Sequence, residues 1–103
     1  MVNIHIYLES EKDAKKVVES LMEAGLMAHA SIDKDNHSFM KTDQGIVEHT
    51  NYVITGQTKA LLFDQVLKSL EKSGHGSMKV FSTPITQCNE AFSEIIRENT
   101  NQI

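Results

Sequence analysis

Five histidines, His5, His29, His37, His49 and His75, and one cysteine, Cys88, are the side chains of this 103-residue chain best suited to chemistry. Imidazole nitrogens are good donors to borderline divalent metals such as Cu²⁺ and Zn²⁺, provided several are brought together. No pair shows the HExxH or HxxxH spacing that sets two ligands on one helix face. A metal site would have to be assembled by the fold. His37 and His49 flank a turn, with Asp35 and Glu48 close by in sequence. They are expected to face each other across a hairpin, where paired strands bring side chains to about 5 Å. His29 is the third candidate ligand. The plainer reading makes the hairpin pair ordinary exposed residues and makes His5 and His29 hydrogen-bonded interface residues.

Cys88 is alone, which excludes an internal disulfide and any CxxC motif. It stands at the start of an expected helix with no histidine beside it in sequence to act as a base. The chain has no GxSxG, P-loop or GxGxxG motif and no recognisable carboxylate pair. Gly74-His75-Gly76 is too short for a phosphate loop. With these signatures missing, an enzyme is not expected.

The elements that must position these residues follow from periodicity. Val2, Ile4, Ile6 and Leu8 alternate with Asn3, His5 and Tyr7, the period of a strand with one buried face. Ser10 is an N-cap signal with Asp13 three residues on, and Ala14, Val17, Val18, Leu21 and Met22 follow at helical spacing to a stop at Gly25. From Leu26 the period returns to two. Leu26, Ala28, Ala30 and Ile32 share one side, and Met27, His29 and Ser31 the other. Asp33-Lys34-Asp35-Asn36 interrupts the alternation as a bulge or bend. His37 to Lys41 continues to a turn at Thr42-Asp43-Gln44-Gly45, and Ile46 to Thr55 returns as a strand. A second helix, capped by Thr58, carries Leu61, Leu62, Val66, Leu67 and Leu70. Met78 to Thr83 forms a short strand ended by Pro84, and Asn89 caps a last helix with Phe92, Ile95 and Ile96.

The order predicts one α+β domain over residues 1–103. It is a ferredoxin-like βαββαβ sandwich with a four-stranded antiparallel sheet, a long hairpin between the second and third strands, and an extra C-terminal helix. Two helices cover one sheet face and leave the other open. That face is mixed, with His5, Tyr7, Met27 and His29 expected on it, and such a face suits an interface between copies. The third strand should lie between the first two, holding His5 and His29 about 10 Å apart at about 4.8 Å per strand.

The net charge of −4 and scattered lysines argue against nucleic acid, whose backbone needs clustered Lys and Arg, so no nucleic-acid partner is expected. No segment reaches the roughly 20 apolar residues of a membrane helix, and Met1-Val2-Asn3-Ile4-His5 lacks a secretory pattern. A cytoplasmic protein is expected.

Thr83-Pro84-Ile85-Thr86, followed by Asn89, Phe92 and Ile95-Ile96-Arg97-Glu98-Asn99, resembles the ending of the CutA divalent-cation-tolerance family. Ala24-Gly25-Leu26-Met27-Ala28 resembles its small-residue entry to the second strand. The resemblance implies a PII-like homotrimer whose sheets pack around a three-fold axis, with the hairpin reaching a neighbour. It implies tolerance or binding of a divalent cation, Cu or Zn. His29 stands where the family commonly has cysteine, and Met78-Lys79-Val80 where it commonly has Pro-Glu-Ile. A second reading is a PII-like regulatory module that holds a small anionic metabolite between subunits, with the 33–45 loop, His75 and Lys79 at the site. A third is a ligand-free oligomeric scaffold.

Overall fold

The alternation in Val2–Leu8 becomes strand β1, with Ile4, Ile6 and Leu8 buried and Asn3, His5 and Tyr7 half-buried on the other side. The computed structural model describes residues 1–76 and 79–102. Ser10 takes extended angles, and its Oγ accepts the Asp13 amide at 3.1 Å to cap helix α1, Glu11–Glu23. The helix stops through two backbone bonds: the Gly25 amide donates to the Met22 carbonyl and the Leu26 amide to the Leu21 carbonyl. This is a Schellman ending, and it needs a residue at φ +71°, which Gly25 supplies without strain.

Strands β2 (His29–Thr42) and β3 (Gly45–Thr58) form the long hairpin, closed by a two-residue loop at Asp43-Gln44. The Thr42 hydroxyl donates to the Gly45 carbonyl at 2.9 Å and accepts from the Gln44 amide at 3.2 Å. A 3₁₀ turn (Ala60–Leu62) leads into α2 (Phe63–Lys72), then β4 (Val80–Pro84) and α3 (Glu90–Glu98). The sheet order is β2-β3-β1-β4 and every pairing is antiparallel. This is the expected ferredoxin-like α+β sandwich with its added C-terminal helix.

Ile4, Ile6 and Leu8 meet Ala14, Val17 and Leu21 of α1 and Val66 and Leu70 of α2 in one apolar cluster. Each of the Ile, Leu and Val side chains contributes about 1.5–3 kcal/mol by leaving water, and the Ala14 methyl less. Beyond Tyr52, β3 has no β1 partner, so residues 45–51 run on with β2 alone. The Cα radius of gyration is 14.3 Å, above the about 13 Å of a compact chain this long, because the hairpin projects.

Two expectations are corrected. Met27 is not on the open face: it is 1% exposed and lies in the core. The strand begins only at His29, so residues 26–28 are not bound by alternation, and both Leu26 and Met27 turn inward. Space for Met27 exists because Gly56 carries no side chain; a Cβ there would collide with the Met27 thioether. Thr58 does not cap α2. It is the last residue of β3, paired with Val2, and among the described residues its buried Oγ1 has no partner. The 3₁₀ turn takes over the entry to the helix, and α2 has no side-chain cap. The last strand starts at Val80, and Met78, its expected start, lies outside the described residues.

Candidate functional site

The three candidate metal ligands are held apart by the hairpin's own register. A two-residue loop pairs His37 with Thr50 and Ser38 with His49. Directly opposed residues share a face, so His37 and His49 project to opposite sides. The expected facing pair does not form. His37 instead places Nδ1 3.1 Å from Glu48 Oε2, an exposed diagonal pair. One extra residue in β2, between the Asp33–Val53 and Asn36–Asn51 pairs, makes the expected bulge, with Asp35 at φ +56°. That extra residue reverses which parity faces outward, so His29 and His37 also lie on opposite faces. His29 pairs with Gln57, eight residues along β3 from His49, or about 26 Å at about 3.3 Å per residue. Among the described residues no three His, Cys, Asp or Glu side chains converge as a metal cage.

The open face carries a hydrogen-bonded row across all four strands. His29 Nδ1 lies 2.8 Å from Gln57 Oε1, an oxygen that only accepts, so the imidazole donates. Gln57 Nε2 donates to Asn3 Oδ1 at 3.0 Å, and Asn3 Nδ2 reaches Thr83 Oγ1 at 3.5 Å. Thr83 Oγ1 then lies 3.0 Å from His5 Nε2, and His5 Nδ1 lies 3.4 Å from Thr55 Oγ1. The His5 ring stacks on Phe81 at 4.7 Å between centroids, and Phe92 of α3 stands edge-on to His29 at 5.5 Å. His5, Tyr7 and His29 are therefore on the face expected of them, with β3 between His5 and His29. Asn3, Gln57, Phe81 and Thr83 join them. The alternation of β1 already marks Asn3, and that of β3 and β4 marks Gln57, Phe81 and Thr83, but their cross-strand partners depend on register.

His49, His75 and Lys79 come together elsewhere. They line a cleft of about 470 Å³ bounded by the end of β1, the first turn of α1, the hairpin base and the segment before β4. The Lys79 ammonium sits 4.3 Å from the centre of the Tyr7 ring and 5.7 Å from that of Phe81. Glu9 and Asp13 line the same cleft. Sequence reasoning named the two histidines and the lysine and missed the carboxylates, which read as ordinary parts of a helix entry until α1 is docked. Cys88 is exposed and free in the loop before α3.

A small antiparallel sandwich with one uncovered face and a projecting hairpin defines the structural class. Its relatives agree. The family model described as CutA1 divalent ion tolerance protein matches residues 2–99. The chain belongs to that family. Solved structures of the same fold include the divalent cation tolerance protein Cut A1 from Thermus thermophilus, with TM-score 0.89, 21% identity, and 98% of this chain and 100% of that one covered. CutA1 from Oryza sativa superposes with TM-score 0.91 at 14% identity over 99% and 94% of the two chains. The Archaeoglobus fulgidus protein, described as periplasmic, gives 0.87 at 23% over 96% and 98%. Among curated proteins none matches this chain.

Proposed function

We propose that this protein is a homotrimeric, non-enzymatic CutA-type binding protein that acts in tolerance of divalent metal ions. One observation carries the assembly. The hairpin leaves residues 45–51 of β3 without a β1 partner and exposes Phe39 (66%) and Ile46 (76%) on one side. An unpaired strand edge beside exposed apolar side chains is a surface that neighbouring chains cover. Three copies is the number the family resemblance implies. The same resemblance makes the open-face row of His5, Tyr7 and His29 an inter-subunit surface.

The metal, Cu or Zn, would be gathered between copies, since one chain holds its histidines apart. His29 is the first candidate, because its Nδ1 already engages Gln57 and leaves Nε2 for a ligand. Calorimetric titration with Cu²⁺ and Zn²⁺ tests this: saturable binding that His29→Ala weakens at least tenfold supports it, and heats matching an unrelated control protein end it. The proposed compartment is the cytoplasm. Cell fractionation decides it, since one structural relative is described as periplasmic.

A specific observation favours a second reading, a small-molecule site. The cleft lined by His49, His75 and Lys79 has the volume of a metabolite pocket. A thermal-shift series with citrate and ATP tests it, because a ligand at 100 times its Kd adds about 2.7 kcal/mol of stability.

A further inference from the structure

We propose that the cleft between Tyr7, Asp13, His49 and Lys79 binds a zwitterionic small molecule of the α-amino acid class. The inference rests on the reading of that cleft as a ligand site and replaces an anion by a molecule bearing both charges.

The first support is the mixture of charge. Lys79, His49 and His75 supply cationic or donor groups, and Glu9 and Asp13 supply carboxylates, to one space of about 470 Å³. A purely anionic ligand would meet two carboxylates, and a bare cation would meet the lysine. A molecule with an ammonium at one end and a carboxylate at the other satisfies both sets through charge-assisted hydrogen bonds.

The second support is that the charges do not satisfy each other. Among the described residues the ion pairs within 4.0 Å are Lys15–Glu11 and His37–Glu48, and neither spans this cleft. Lys79 is held instead over the Tyr7 ring, 4.3 Å from its centre. That contact fixes the ammonium without neutralising it. Asp13 is anchored through its backbone, whose amide is taken by the Ser10 cap at 3.1 Å, and no hydrogen bond among the described residues engages its carboxylate.

The third support is the wall between them. Leu8, Phe39 and Met40 line the same space and give an amino acid side chain an apolar surface. These apolar residues are outnumbered by the polar ones of the lining, which suits a compact ligand whose charged ends dominate its recognition.

Calorimetric titration of the full chain with each of the common L-amino acids, then of the best binder's deaminated acid and decarboxylated amine, tests the proposal. Expected is saturable binding of at least one amino acid and at least a tenfold loss for either analogue. Lys79→Met should also weaken the amino acid at least tenfold, and Glu9→Gln should weaken it while sparing the deaminated acid. Thermal melts of both variants matching the parent establish that they fold. Binding of the acid as tight as that of the amino acid overturns the zwitterion and leaves an anion site. Citrate or ATP binding without any amino acid binding does the same. Absence of all binding overturns both the inference and the cleft reading.

Discussion

Met27 fills the space that Gly56 leaves vacant on the covered side of the sheet, and a methyl group at position 56 would collide with its thioether. The pair fixes how the chain enters β2. Gly56→Ala should therefore destabilise the protein by about 1–3 kcal/mol, the usual cost of overpacking a core. Met27→Ala should cost about 2–5 kcal/mol, and the double variant less than the two singles together, because they share one space. Denaturant midpoints check all three.

Gly25 holds two relationships at once, the left-handed stop of α1 and the docking of the C-terminal segment. The Asn101 amide donates to the Gly25 carbonyl at 2.8 Å, and its side chain donates to the Ala24 carbonyl at 2.8 Å. Gly25→Ala strains φ and strikes the Asn101 side chain, so it should cost about 1–3 kcal/mol. Asn101→Ala should cost about 1 kcal/mol through its lost bond. Thermal unfolding of both variants measures this.

Thr58 buries a hydroxyl that finds no partner among the described residues. Thr58→Val removes that polar group at nearly the same shape. It should raise stability by about 1 kcal/mol, read as a higher unfolding midpoint. A lower midpoint would mean that the hydroxyl is satisfied in solution.

His37 and His49 project from opposite sides of the hairpin. Any weak Cu²⁺ or Zn²⁺ binding at one should not depend on the other. Calorimetry on the single and double alanine variants should show additive losses, whereas a double variant no worse than either single would mean that the two share one ion.

Much of this was legible in residue spacing. The alternation of Val2–Leu8, the Ser10 cap, the Gly25 stop and the Asn89 cap place β1, α1 and α3 where the structure has them. Even the interruption at Asp33–Asn36 shows as a break in period. What spacing left hidden is parity. A bulge of one residue and a loop of two decide which face each hairpin histidine takes, and a difference of one reverses the answer. Met27 escaped for a related reason. Its neighbours alternate like a strand, but the sheet starts two residues later, and the cue was Gly56 in β3 rather than anything near Met27. The cleft gathers His49, His75 and Lys79 from three separated segments, and only the docked fold adds Glu9 and Asp13.

Assembly decides whether the open face and the hairpin edge are buried or bathed in water. Phe81 stacks on His5 and approaches Tyr7 at 6.2 Å between ring centres. Removal of its ring by Phe81→Ala should weaken association while leaving the core cluster intact.

Sedimentation equilibrium of the unmodified chain, carried to low micromolar concentration, tests the central claim. A single species of about three times the 11.6 kDa chain mass is the expected result. A monomer that persists throughout, with Phe81→Ala indistinguishable from it, would contradict the account.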